Sequence, residues 1–206
     1  HPKFISLWMK TGIRNKPLVV CGGPAENKLS AKIIKQNLQS FFDIRGPVQN
    51  VSEVLIGMDL FFYPLQHAHY GTGEQVLIEA MAFGVVPIVF GAGCEEFVVK
   101  NGVTGIVAKN EDEFVEAVRN LYEYPNERKR LARNAMSFVR ENFCIAKTIS
   151  DWEAIYTDLI SVTDKGPQSL VLEHFEDIPH RSPLALMLTS YGQTPERDFF
   201  LKLFRK

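Results

Sequence analysis

Short apolar runs alternate with amphipathic stretches along residues 2–108, and this alternation predicts a regular series of strands and helices. The predicted strands are residues 17–23, 41–47, 59–64, 85–90 and 103–108. The predicted helices are residues 2–10, 27–40, 50–58, 74–84 and 94–102. Because apolar strands that alternate with helices form parallel sheets with both faces covered, we predict an α/β fold with a doubly wound, Rossmann-like parallel sheet.

Residues 110–162 have a different pattern, in which three helices follow one another without an intervening strand. The helices are residues 110–124, 125–143 and 146–161, and Asn110 is the predicted N-cap of the first. Each has an apolar stripe that we expect to pack into the core and close the domain. The stripe of the third helix consists of Ile149, Trp152, Ile155, Tyr156 and Leu159.

Residues 163–167 read as a linker and predict a division into two parts, residues 1–162 and an appendage of residues 163–206. Within the appendage, residues 169–175 have strand character, whereas residues 183–192 and 194–204 have helical character. We expect the apolar face of the last segment to dock on the main domain or on a partner. That face consists of Phe199, Phe200, Leu203 and Phe204.

Composition limits the classes of function. The 206 residues are 46% apolar, enough for one core, and 23 basic residues balance 24 acidic ones. The absence of a basic excess argues against nucleic acid as a partner. No apolar run approaches the ~20 residues of a membrane span and the start lacks a signal-peptide layout, so we expect a cytoplasmic protein, with peripheral membrane contact left open.

The three cysteines, Cys21, Cys94 and Cys144, are widely spaced and include no Cys-x-x-Cys pair. This spacing argues against a disulfide framework and against a cysteine zinc site. We therefore expect free thiols that are buried or half-buried.

Residues 70–99 concentrate the candidate chemistry. Gly71, Thr72 and Gly73 lead into the helix of residues 74–84, whose first N–H groups lack internal partners and favour an anion such as phosphate. Glu79 lies within that helix among apolar neighbours, so we expect partly apolar surroundings in which its carboxylate needs donors. Gly84 is the predicted C-terminal cap, and residues 91–96 form a second glycine-containing turn after a strand.

Four motifs in sequence order resemble the C-terminal, donor-binding domain of GT-B fold glycosyltransferases of family 4, or group 1, over about residues 16–162. VLIEAMAFGVVPIVF (76–90) is similar to the signature helix and strand, with Glu79 as the second glutamate of Glu-x7-Glu. GCEEFVVKNGVTGIVA (93–108) is similar to the next turn, helix and strand, with Gly93 and Glu96 at its motif positions.

Two further loops carry the resemblance. CGGP (21–24) and FFDIRGPV (41–48) are similar to loops at strand ends, and the family uses the second to hold the nucleotide base by main-chain contacts. The residues that this resemblance assigns to substrate binding in the two loops are Gly22, Gly23, Arg45, Gly46 and Val48.

The resemblance implies that the parent protein transfers a hexose from a nucleotide-diphosphate sugar to a hydroxyl acceptor with retention of configuration. Glu79 would then accept hydrogen bonds from the ribose hydroxyls, and the helix start after Gly71, Thr72 and Gly73 would face the diphosphate. The loop with Gly93 and Glu96 would contact sugar or phosphate. No metal and no cofactor are implied, since the nucleotide sugar is a substrate and no Asp-x-Asp cluster is present.

One departure from the family concerns the first motif glutamate, because Gly71 occupies its position. Glu74 is the nearest acid, but it lies about 140° from Glu79 around an ideal helix. It can contact the donor sugar only from an unwound helix start, and an ordinary first-turn acid is the alternative. We interpret the neighbouring pair Glu95 and Glu96 as a solvated helix start.

A second departure lies at the beginning of the chain. The family's domain opens with a strand and a loop whose Arg and Lys neutralise the diphosphate, whereas this chain starts with a predicted helix. The nearby cations are Arg14, Lys16 and Arg45. We therefore expect a fragment that requires an N-terminal acceptor domain and is inactive, or nearly so, alone.

Two other functions fit the same residues. One is half of a nucleotide-sugar epimerase, which would share the donor pocket but not the acceptor site. The other is a non-catalytic nucleotide-binding or interaction module, which the missing acid at position 71 favours. A dinucleotide-dependent oxidoreductase fits least well, because no Gly-x-Gly-x-x-Gly follows a strand in the required place.

Overall fold

The computed structural model describes residues 1–23, 26–66, 74–91 and 93–161. The chain divides into two compact units, His1–Asp151 and Trp152–Lys206. The predictions for Gly71, Thr72 and Gly73 and for residues 163–206 lie outside the described residues. The division that we place after residue 162 stays a prediction.

Every strand and helix predicted between residues 2 and 161 has a counterpart with shorter or similar bounds. The strands are β1 (Leu18–Cys21), β2 (Phe42–Gly46), β3 (Leu60–Tyr63), β4 (Val86–Phe90) and β5 (Ile106–Ala108). The helices are α1 (Phe4–Thr11), α2 (Glu26–Lys35), α3 (Val51–Leu55), α4 (Gln75–Ala82), α5 (Glu95–Val98), α6 (Glu111–Glu123), α7 (Pro125–Asn142) and α8 (Ile145–Ser161). Among the described helices, none combines the length and apolarity needed to cross a membrane.

All strand pairs in the described residues are parallel, which confirms the predicted α/β class. β1 pairs with β2, with Leu18 opposite Phe42. β3 pairs with β4, and β4 with β5, with Ile88 opposite Ile106. The hydrogen bonds thus join the described strands into a two-stranded and a three-stranded sheet. In both sheets the loops after the strands lie at the edge where ligands of parallel sheets bind.

An aromatic cluster joins the sheets to the helices that cover them. Trp8 of α1 donates from Nε1 to the carbonyl oxygen of Phe41 beside β2, at 3.1 Å. Its ring also meets Phe62 of β3 edge-on, with centroids 5.8 Å apart. From α6, the fully buried Phe114 contacts Phe62 and Phe90 at centroid distances of 5.0 and 4.7 Å. The core therefore lies where α1 and α6 meet strands of both sheets.

Gly84 ends α4 as predicted. Its φ of +73° is in the left-handed region, and its N–H bonds the carbonyl oxygen of Met81 at 3.0 Å. The N–H of Val85 bonds the carbonyl oxygen of Ala80 at 2.9 Å, which completes a Schellman cap. This cap turns the chain directly from α4 into the fully buried strand β4.

We expect Gly84→Ala to lower the free energy of unfolding by about 1–2 kcal/mol, because a Cβ disfavours the left-handed conformation. The new Cβ would also lie only 3.3 Å from Sδ of Met136. Urea denaturation measures the loss. Gly57→Ala is the matched control, since its φ is not positive and its Cβ would meet only the Val54 carbonyl oxygen, at 3.8 Å. An equal loss in both variants would contradict this role of Gly84.

The stripes of α6 and α7 pack inward, but that of α8 does not. Phe114, Val118, Leu121, Leu131, Ala135 and Val139 are buried, as predicted. The prediction for α8 is wrong, because its five stripe residues are all exposed, between 48% and 62%. Helical spacing identifies which face of a helix is apolar, but it does not identify what covers that face.

All three cysteines are free thiols. Cys94 and Cys144 are half-buried, as expected, whereas Cys21 is exposed. The expectation fails for Cys21 because this residue is the last of β1, where the strand leaves the sheet.

Candidate functional site

The two loops after β1 and β2 lie side by side. The N–H of Gly22 donates to the carbonyl oxygen of Gly46 at 2.8 Å, which ties the loops together at the carboxyl ends of the paired strands. Gly22 and Gly23 are exposed, and a Cβ on either would meet no atom within 4 Å. These backbones are therefore open to a ligand. Gly46 is buried and Val48 is half-buried.

Arg45 lies near the end of β2, beside these loops, and its side chain is already paired. Its Nε and a terminal nitrogen lie 2.9 and 2.8 Å from Oδ2 of Asp43, two residues back on β2. Both side chains are about 40% exposed, so the pair contributes little to stability. An incoming phosphate therefore competes with Asp43 at small cost. The contact of Arg45 with substrate stays a prediction.

Glu74 lies at the start of α4 as its N-cap. Its φ and ψ of −59° and 53° are not helical, while its carbonyl oxygen accepts from the N–H groups of Leu77 and Ile78. The condition for a sugar contact, an unwound helix start, is met. The carboxylate does not cap the helix; it is nearly buried and accepts a hydrogen bond at 2.8 Å from Oη of Tyr63. The sugar contact itself stays a prediction.

Tyr63 is the last residue of β3, and its environment keeps its phenol protonated. Burial raises the pKa of Tyr63, and the hydrogen bond to Glu74 and the charges of Glu74 and Glu95 raise it further. The ring stacks on Phe61 with centroids 5.3 Å apart. Tyr63 therefore holds the Glu74 carboxylate in one position at the end of the sheet.

We expect Tyr63→Phe to lower the free energy of unfolding by about 1–3 kcal/mol, because a nearly buried carboxylate loses its donor. The folded pKa of Tyr63 lies above its ordinary value of about 10. The unfolded chain therefore loses this proton first, and the contribution is complete below pH 10 and declines as the pH rises further. Urea denaturation of the wild type and of Tyr63→Phe from pH 7 to 11 measures the loss of stability and its dependence on pH. A difference in the free energy of unfolding that stays constant across this range would contradict the predicted pH dependence.

Glu95 is a site residue that the sequence interpretation missed. It is the first residue of α5 and is fully buried, so the interpretation of Glu95 and Glu96 as a solvated pair is wrong for Glu95. Sequence spacing could have indicated that Glu95 is buried. Glu95, Val98 and Val99 share one helical face, and both valines are buried. Glu95 is a second buried carboxylate, after Glu74, whose charge raises the pKa of Tyr63.

Glu96 is exposed and turns back over the end of β4. A Cβ on Gly91 would displace the exposed Glu96 carboxylate and would lie 3.0 Å from Cγ1 of Val107, so glycine at position 91 lets Glu96 approach the backbone. The N–H of Gly91 bonds the carbonyl oxygen of Ala108 at 3.3 Å and holds the turn against β5. Gly93 is exposed on the same turn. The turn therefore presents a carboxylate and open backbone at the carboxyl end of β4.

Glu79 lies on the outward face of α4, where it is exposed. The expectation of partly apolar, buried surroundings is wrong, because its sequence neighbours Ala80 and Met81 point inward on a helix that turns by 100° per residue. Among the described residues, none donates a hydrogen bond to its carboxylate. Glu79 is thus accessible to a ligand without breaking a protein contact.

Arg14 and the cavity beside it lie apart from these residues. The Arg14 guanidinium donates to the carbonyl oxygens of Ile13 and Met9, and Arg119 donates to those of Thr11 and Lys10. These arginines line a surface cavity of about 320 Å³ and cap the end of α1, which makes their role structural. Lys16 is exposed. Within the described ranges, no three His, Cys, Asp or Glu side chains gather to hold a metal.

Comparisons with known proteins identify a family from the sequence and a fold from solved structures. The family described as "Glycosyl transferases group 1" matches residues 6–138. Anabaena HepE in complex with UDP is 18% identical, with 76% of this chain and 44% of that chain covered and a TM-score of 0.62. Sucrose-phosphate synthase from Thermosynechococcus elongatus is 18% identical, with 77% of this chain and 42% of that chain covered and a TM-score of 0.65.

A glycosyltransferase from Rickettsia africae gives a similar comparison, at 15% identity, with 77% of this chain and 44% of that chain covered and a TM-score of 0.64. At such low identity these structures show the fold alone. The chain spans less than half the length of each of the three. No match is found among curated protein sequences.

Proposed function

This chain belongs to the group 1 glycosyltransferases, and on that basis we propose that it is the donor-binding half of an enzyme that transfers a hexose from a nucleotide-diphosphate sugar to a hydroxyl acceptor with retention. The family match across residues 6–138 carries the proposal. It is supported by the position of the described site residues, which lie at the ends of strands β1 to β4 or follow these strands, at the edge where parallel sheets bind ligands. Two structures similar to this chain are those of HepE in complex with UDP and with UDP-glucose.

In this proposal, the nucleoside binds between Glu79 and the loops after β1 and β2. The exposed carboxylate of Glu79 accepts hydrogen bonds from the ribose hydroxyls, and each such charge-assisted bond contributes about 1.5–3 kcal/mol when sheltered by the ligand. The backbone of Gly22 and Gly23 lies against the nucleoside, where open space admits it, and Gly46 lies beside them at the end of β2. Val48 supplies apolar contact to the base.

The diphosphate and sugar bind further along the same edge. The N–H groups that open α4 face the diphosphate and contribute about 0.3–1 kcal/mol, with Arg45 able to leave Asp43 for a phosphate. The Glu74 carboxylate, held by Tyr63, accepts a hydrogen bond from a sugar hydroxyl. Glu96 and the backbone of Gly93 contact the sugar from the turn after β4. The charge of the buried Glu95 raises the pKa of Tyr63 and so favours the protonated phenol that donates to Glu74.

Transfer requires a second domain that binds the acceptor and covers the sugar. A glycosyl donor reacts with an acceptor only when the hydroxyl is held against the anomeric carbon and water is excluded. In this proposal, the sheet edge with Glu74 and Glu79 binds the donor, and the second domain binds the acceptor. We therefore propose that the chain alone binds donor without transferring its sugar.

Calorimetric titration of this chain with UDP, GDP and ADP tests the proposal. We expect one of these to bind with 1:1 stoichiometry, more tightly than its monophosphate and without dependence on EDTA, and the matching nucleotide sugar to compete for the same site. No binding of any of the three at millimolar concentration would contradict the proposal. Sugar transfer or donor hydrolysis by this chain alone would contradict the two-domain requirement.

A further inference from the structure

Phe97 of α5 carries a phenyl ring that the described fold leaves in solvent. Its exposed fraction is 76%, and among the described residues no other large apolar side chain is as exposed. A single exposed apolar residue is common on a protein surface, so exposure alone does not identify a contact. The position of Phe97 in the molecule is what points to one.

The short helix α5 holds Phe97 in a fixed place. The N–H of Phe97 donates to the carbonyl oxygen of Cys94 at 3.1 Å, and the N–H of Val99 donates to that of Glu95 at 2.7 Å. Glu95 and Val98 are buried. On a helix that turns by 100° per residue, Phe97 lies about 160° from Glu95. The buried face therefore anchors α5 and directs the ring outward.

The neighbours of the ring belong to the proposed sugar site. Glu96, the preceding residue, turns back over the end of β4, and Gly93 is exposed on the same turn. From the buried side of α5, the charge of Glu95 acts on Tyr63, whose hydroxyl holds the Glu74 carboxylate. The helix is therefore next to the carboxylates that the proposed function assigns to the hexose.

A hexose requires two kinds of surface from a protein. Its hydroxyl groups exchange hydrogen bonds with carboxylates and backbone amides, whereas its C–H groups form an apolar face that packs on aromatic rings. Glu74, Glu96 and the backbone of Gly93 offer the first kind of surface. Residues 93–99 contain one aromatic side chain, that of Phe97, which offers the second kind.

We propose that the Phe97 ring packs against the apolar face of the donor hexose. It thereby contributes to the affinity for the nucleotide sugar and not to the affinity for the free nucleoside diphosphate. The inference rests on the proposed function, since the donor must bind for its sugar to reach α5. Packing the sugar on the ring removes apolar surface from water and stabilises the complex.

Calorimetric titration with UDP, GDP and ADP, and with UDP-glucose, GDP-glucose and ADP-glucose, tests this contact. For the base that the wild type binds, Phe97→Ala should weaken binding of the glucose ester by about 3- to 10-fold and leave binding of the diphosphate unchanged. Phe97→Tyr retains the ring and should bind both ligands as the wild type does.

The matched control is Ile56→Ala, which removes a side chain that is 73% exposed and lies before β3, at the opposite end of the strands. It should change neither affinity. If the affinity ratio of ester to diphosphate is the same in the wild type and in Phe97→Ala, the inference fails while the proposed function stands. An equal loss of affinity for both ligands would place the ring at the nucleotide and also overturn the inference. Failure of the wild type to bind any of these ligands would contradict the proposed function and the inference with it.

Fluorine NMR observes the ring directly. The 15 phenylalanines are replaced with 4-fluorophenylalanine, and Phe97→Leu identifies the Phe97 resonance by its absence. At saturation, we expect the glucose ester to shift this resonance and the diphosphate to leave it in place. A resonance that neither ligand moves, or that both move equally, would contradict the proposed contact.

Discussion

Phe114→Ala is expected to lower the free energy of unfolding by about 3–5 kcal/mol, the usual cost of removing a buried aromatic ring. Phe114 has no exposed surface, and its ring contacts Phe62 and Phe90 at centroid distances of 5.0 and 4.7 Å. Alanine leaves a cavity where α6 meets β3 and β4, and the surrounding strands cannot collapse into it. Urea denaturation at neutral pH measures the loss.

Phe97→Ala is the matched control, because it makes the same chemical change at a side chain that is 76% exposed. We expect its effect to stay within about 0.5 kcal/mol, as for other surface substitutions. A similar loss of stability in both variants would contradict the placement of Phe114 at the centre of the core.

Glu79→Ala is expected to weaken binding of the nucleoside diphosphate by about 10- to 100-fold, which corresponds to the loss of one charge-assisted hydrogen bond. The fold should be unaffected, because Glu79 is exposed and no described residue donates a hydrogen bond to its carboxylate. Calorimetric titration of the variant with the diphosphate that binds the wild type gives the change in affinity.

The control for Glu79 is Glu116→Ala, which removes an exposed glutamate from α6, away from the loops after the strands. We expect it to bind the nucleoside diphosphate as the wild type does. A loss of affinity in Glu116→Ala as large as in Glu79→Ala would indicate an effect of net charge and contradict the specific role of Glu79.

The order of strands and helices follows from sequence periodicity, because most elements bury one face or, like β4, all of their residues. Residues 85–90 are continuously apolar and form β4, which is buried along its length. The end of α4 was equally predictable, since Gly84 alone supplies the left-handed residue that a Schellman cap requires. The packing of α8 could not be predicted, because its stripe has the same spacing as the stripes of α6 and α7 but remains exposed.

The site was predictable in its loops and less so in its side chains. Motif order placed Gly22 and Gly93 after strands, where the structure has them, and Gly46 is the last residue of β2. The hydrogen bond between Tyr63 and Glu74 depends on β3 ending beside the start of α4, which no local pattern encodes. Burial of Glu95 and exposure of Glu79 reverse the expectation for each, because adjacent residues on a helix face different surroundings.

The contact between Glu79 and the ribose hydroxyls is the central claim, and a binding cycle with two ligands and two proteins tests it most directly. The affinity of the wild type and of Glu79→Ala is measured by calorimetry for the nucleoside diphosphate and for its 2′,3′-dideoxy analogue. We predict that removing the hydroxyls weakens binding to the wild type and leaves binding to Glu79→Ala unchanged. If Glu79→Ala discriminates between the two ligands as strongly as the wild type, the carboxylate does not bind the ribose and the account is wrong.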